Sequence, residues 1–161
     1  MFSLPLLISE DIAAMDAAMG EFVFNSGSRL VLFIDGGGFI VTRQGDCGNI
    51  DTSTLGALAA NSFAATQAIA KLIEDDTVTS LYQQGNETSL LILSVGEFGF
   101  LAVVFPAAIG VGSVKFYAEE MVSRVKRQLR DAHDRAPTQG LDLSALNLAD
   151  ATPLFRRRAA P

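Results

Sequence analysis

Residue types that could do chemistry are few in this chain of 161 residues: one histidine, one cysteine and a triple glycine stand out. Gly36-Gly37-Gly38 could suggest a phosphate cradle. A phosphate-binding loop needs G-x-x-x-x-G-K-[ST] opening a helix, whereas these glycines lead into Phe39-Ile40-Val41, a strand-like run. They read as a hairpin turn, and no nucleotide site is expected. His133 stands among Arg130, Asp131, Asp134 and Arg135 near the end of a helical pattern, where a cation is mildly favoured, so it reads as solvated. A lone histidine also removes most metal sites and makes a Ser-His-Asp triad a poor fit. Cys47 lies in a Gly-Asp-Cys-Gly loop near Asp46 and Asp51, the reverse of the electropositive setting that activates a thiol. Glu74-Asp75-Asp76 could hold a cation only with further ligands, and reads as a solvated loop. Arg43 could by type be an arginine finger. Arg124, Lys126, Arg127 and Arg130 crowd one helix, either as a solvated face or as a contact for phosphate or an acidic partner. No catalytic centre, cofactor or metal is expected.

Composition bounds the rest. The length fits one domain with a short tail, and a domain of this size needs neither disulfide nor metal to be stable. Hydrophobic residues make up 49% and charged residues 19%, which excludes a disordered chain. No apolar run reaches the roughly 18 residues of a membrane span. The start, MFSLPLLISED, has no basic region and only a short apolar one, so no signal peptide is read and a cytoplasmic protein is expected. A single cysteine suits a reducing compartment. Charge is uneven: residues 1–114 carry net −9 and residues 115–161 net +3. An acidic body of this kind does not suit nucleic acid, whose binders cluster Lys and Arg on one face. It leaves room for a protein partner steered by charge.

The elements that must position these residues follow from periodicity. Residues 9–25 read as a helix, with Ser9 as N-cap, Glu10 and Asp11 in the first turn, and Ile12, Met15, Met19 and Phe22 on one face. Residues 29–35 form a strand apolar on both faces, hence central, and residues 39–44 return from the Asp35–Gly38 turn. A second helix spans about 53–74, with N-cap candidates from Asp51 to Thr54. It mixes many alanines with Leu55, Leu58, Phe63, Ile69, Leu72 and Ile73, which can pack on a sheet while the small residues leave a shallow surface for another backbone. Strands at 78–83, 88–95 and 98–105 make a meander that Pro106 ends. The last helix, 111–135, buries Val114, Tyr117/Ala118, Met121, Val125 and Leu129, with Glu120 and Arg124 as an i,i+4 pair. A body of residues 1–135 is followed by a tail, 136–161. The fold class is α/β (α+β), order α-β-β-α-β-β-β-α, with one antiparallel five-stranded sheet covered on one face or both.

This order, with its Asp-x-x-Gly hairpin and small-residue helix, resembles the Roadblock (dynein light chain) family. The resemblance is sharpest at NIDTSTLGALAANSFAATQAIAKLI (49–73), continues through 89–105 and 111–121, and covers about residues 9–133. It is most similar to the members that serve bacterial cell polarity and gliding motility. The resemblance implies a homodimer formed by pairing second strands, here through Phe39, Val41 and Arg43, with the two Ala-rich helices side by side on one sheet face and the first and third helices on the other. It implies a partner, a Ras-like small GTPase of the MglA type in its GTP form, held at positions matching Ala60, Ala64, Ala68 and Lys71. Such dimers activate GTP hydrolysis by moving the GTPase's own catalytic residues, with no arginine finger, and the family's C-terminal segment can favour exchange.

The residues agree in part. Ala60, Ala64 and Ala68 are spaced i, i+4, i+8 and share a helix face, which could equally be packed inside the fold or at a dimer contact. The tail departs from the related proteins, whose ends are usually acidic, because this one closes on Arg156-Arg157-Arg158. Leu146, Leu148, Leu154 and Phe155 could dock as a short helix, or the tail could be a disordered solubilising segment. The leading expectation is a cytoplasmic regulator of a GTPase, with a cell pole as a place of concentration, and not an enzyme. The alternative is a dimeric scaffold that leaves hydrolysis unchanged. A small-ligand sensor is the third reading. Neither nucleic acid nor membrane insertion is expected.

Overall fold

The computed structural model describes residues 2–75 and 77–135. The chain runs α1 (Ser9–Ser26), β1 (Leu30–Ile34), β2 (Ile40–Gly45), α2 (Thr52–Leu72), β3 (Ser80–Gln83), β4 (Thr88–Ser94), a short 3-10 turn (Gly96–Phe98), β5 (Phe100–Pro106) and α3 (Val111–Arg135). The five strands form one antiparallel sheet in the order β2-β1-β5-β4-β3, so β2 and β3 are its edges.

Alternation along β1 explains the layers. Val31 and Phe33 point to one face, where they join Met15, Met19 and Phe22 of α1 and Val114, Met121, Val125 and Leu129 of α3. Leu30, Leu32 and Ile34 point to the other, where Phe63 of α2, Phe100 and Ala102 complete a smaller core. All five residues of β1 are buried, as its unbroken apolar run requires. Helices therefore cover both faces, two on one side and one on the other.

Local differences from the sequence reading have local causes. Phe98 belongs to the 3-10 turn and not to β5, because Gly99 adopts φ 146° and restarts the chain before Phe100. The N-cap of α1 is Ile8, with Ser9 already in the helix: the Asp11 carboxylate accepts the Ile8 amide at 2.9 Å. Tyr117 is 38% exposed, while Ala118 takes the inward position on α3. Arg124 pairs with Glu21 of α1 at 2.6 Å, closer than its helix neighbour Glu120 at 4.0 Å. The tail positions Leu146, Leu148, Leu154 and Phe155 lie outside the described residues. No helix among the described residues is long and apolar enough to cross a membrane.

Candidate functional site

The helix that carries the candidate partner face starts at a well-made cap. Asp51 accepts hydrogen bonds from the Thr54 amide at 3.1 Å and the Thr54 hydroxyl at 2.6 Å. Those bonds from Thr54 hold the Asp51 carboxyl below its usual range. From there α2 crosses the sheet with Gly56, Ala59, Ala60, Phe63 and Ala70 inward.

The inward set overturns one expectation. Leu58 and Ile69 are each 58% exposed and Leu72 83% exposed, so most of the large side chains of α2 face away from the sheet. The reason is the hairpin turn. Asp35 Oδ1 accepts the amides of Gly37 and Phe39, both at 2.9 Å, which curls residues 35–39 toward the helix. A side chain on Gly38, at φ 89°, would come within 2.9 Å of the Ala57 Cα. One on Gly56 would come within 2.8 Å of the Gly38 carbonyl oxygen. The close backbone approach that the small residues allow is thus made by the chain's own turn. The same geometry occupies the turn amides of Gly37 and Phe39 with Asp35.

The four α2 positions expected to meet a partner divide. Ala60 is buried under the turn, 8% exposed. Ala64, Ala68 and Lys71 are exposed together, flanked by Ala57 on the same side of the helix. Next to them around the helix run Leu58, Ile69 and Leu72, an outward apolar stripe. Monomeric proteins seldom leave so many large apolar side chains together in water.

At the β2 edge, Phe39 lies in the turn and is 73% exposed. Val41 sits at a β-bulge opposite the step from Phe33 to Ile34 and is half-buried. The Arg43 guanidinium donates to the Thr52 hydroxyl at 3.2 Å, which turns it back onto the start of α2. His133 is exposed beside Asp134 at 3.6 Å.

One residue escaped the sequence reading of function and core alike. Asp11, read as a first-turn acid, has a fully buried side chain. It accepts Arg135 at 2.6 and 2.5 Å and Gln128 at 2.7 Å, joining the start of α1 to the end of α3. Chiefly the Arg135 hydrogen bond, then the Ile8 amide and Gln128, hold its carboxyl below the ordinary range against the opposing effect of burial.

A single sheet with one small-residue helix on one face and a helix pair on the other also describes a known domain, and residues 20–105 match the model of the Roadblock/LC7 domain. The chain belongs to the Roadblock/LC7 family. Solved structures agree. The gliding protein MglB from Thermus thermophilus is 26% identical, with 81% of this chain and 98% of that chain covered and a TM-score of 0.73. An MglB described as having a tetrameric arrangement is 27% identical, with 82% and 98% covered and a TM-score of 0.74. Myxococcus xanthus MglB, 24% identical over 73% of this chain and 95% of that one, shares the fold at a TM-score of 0.69. No match is found among curated proteins.

Proposed function

We propose that this Roadblock protein is a homodimeric regulator of a Ras-like small GTPase of the MglA type, acting in bacterial cell polarity and motility. It binds the GTP form on the outward face of α2 and accelerates hydrolysis by holding the GTPase's own catalytic residues in place. The observation that carries this reading is the α2 surface, where, among the described residues, Ala64, Ala68 and Lys71 stand exposed beside Leu58, Ile69 and Leu72 on a domain similar to MglB. Side chains as small as alanine let a partner's backbone come within van der Waals contact, and the apolar stripe supplies area to bury. Catalysis by preorganising groups that belong to the partner needs no acid, base or finger from this chain. Arg43 is engaged with Thr52 at the start of that helix.

The test is single-turnover GTP hydrolysis by the Ras-like GTPase of the same organism, with and without a twofold excess of this protein. Acceleration by about tenfold or more is expected, lost in Ala64→Arg and Ala68→Arg. Binding without acceleration would replace this reading with that of a scaffold. Neither binding nor acceleration would leave the family membership as a statement of fold.

A further inference from the structure

A second surface lies on the opposite face of the sheet. Between α3 and the β3–β4 hairpin runs an open cavity of about 520 Å³. Its floor is Leu93, Ala118 and Val122. It exists because the positions that would fill it hold small polar residues: Ser80, which pairs with Leu93 on this face of the sheet, and Ser123 on the helix. Lys115 and Lys126 stand at its two ends on the same side of α3, with Glu119 between them. Eleven helical residues place the two lysines about 16 Å apart, the length of roughly five extended residues. The strand side contributes the Ser80 hydroxyl and no charge, and neither lysine makes an ion pair among the described residues. In a body whose first 114 residues carry net −9, this groove is a local basic site.

We propose that the groove binds an extended acidic peptide segment of a partner protein. Two carboxylates of the segment meet Lys115 and Lys126, a small apolar side chain between them rests on Leu93 and Val122, and the Ser80 and Ser123 hydroxyls hydrogen-bond its backbone. Charge complementarity selects the segment, and the length between the lysines selects an extended form over a helix, which would need about eleven residues to span them. Because the groove and α2 lie on opposite faces of the sheet, this inference stands apart from the GTPase reading.

The probe is a fluorescein-labelled peptide, Gly-Glu-Thr-Val-Thr-Glu-Gly, titrated into the full chain, with amide shifts mapped by NMR. Its carboxylates are about 13 Å apart, within reach of two lysine arms. Saturable binding below about 1 mM is expected, with shifts at Ser80, Ser94 and Val122. The double variant Lys115→Glu/Lys126→Glu should weaken it at least about tenfold, and the same peptide with lysine for both glutamates should recover binding to that variant. Ser123→Trp, at an exposed position, keeps both lysines but fills the groove, and should abolish binding. No binding at about 1 mM, shifts confined elsewhere, indifference to the charge swap, or unimpaired binding by Ser123→Trp would each overturn the proposal.

Discussion

Asp11 ties the start of α1 to the end of α3 through one side chain. It is buried and ionised, and its charge is tolerable because Arg135, Gln128 and the Ile8 amide all donate to it. Asp11→Asn removes the charge that Arg135 answers, and should cost about 1–3 kcal/mol in urea unfolding. The acid limb of stability should show the same residue. Its carboxyl is lowered from the ordinary 3.8, chiefly by Arg135. The contribution is therefore fully present above 3.8 and is lost as pH falls through the lower folded value. Wild type should lose stability on acidification below pH 4 more steeply than Asp11→Asn; parallel acid limbs would show that the pair contributes nothing to folding. Nothing near Asp11 in the sequence announces this role. Its main partner is 124 residues away, and an acid in a first turn already has a sufficient local explanation.

The elements themselves were far more legible, because β1 and α3 have periodicities that only one environment satisfies. Val31 and Phe33 must face one core and Leu30 and Leu32 the other; the stripe from Val114 to Leu129 can only be buried. The second helix was ambiguous for a physical reason. Alanine is at home in a tight contact and in water alike, so the i, i+4, i+8 alanines carried no direction until the hairpin turn was seen pressing on Gly56 and Ala57. The helix now predicts its own mutational pattern. Gly56→Ala drives a methyl into the Gly38 carbonyl and should destabilise the fold by about 1–3 kcal/mol despite the better helix propensity of alanine. Ala60→Arg should destabilise by more, since it buries a charge without a partner. Ala64→Arg and Ala68→Arg, both exposed, should change unfolding free energy by less than about 0.5 kcal/mol while abolishing GTPase binding. Equal destabilisation at positions 60 and 64 would mean that α2 is rotated from the orientation described.

At the scale of the whole molecule the proposed homodimer makes a prediction about the sheet edges. The ladder answers which amides are available. The Asp46 amide bonds the Arg29 carbonyl at 2.8 Å and the Ser94 amide bonds the Thr79 carbonyl at 3.0 Å. Alternation from those bonds leaves the Arg43 amide pointing outward on β2, and those of Ser80 and Tyr82 outward on β3. Pairing through β2, with Phe39, Val41 and Arg43 at the contact, would set the two α2 helices side by side as one platform for a single GTPase. Against it stands the bulge at Val41, a device that blunts edges elsewhere. Proline removes one outward donor and is tolerated on an edge strand, so it separates the possibilities. Sedimentation of wild type should give twice 17.1 kDa. Arg43→Pro should give monomers, Arg43→Ala should remain dimeric because it keeps the amide, and Ser80→Pro should remain dimeric because it alters the other edge. The Arg43→Pro monomer should also lose most GTPase stimulation while its own unfolding stays cooperative, since half a platform offers half the contact. Monomers from Ser80→Pro alone would move the dimer to β3. Dimers from both proline variants would overturn a dimer formed through a shared sheet.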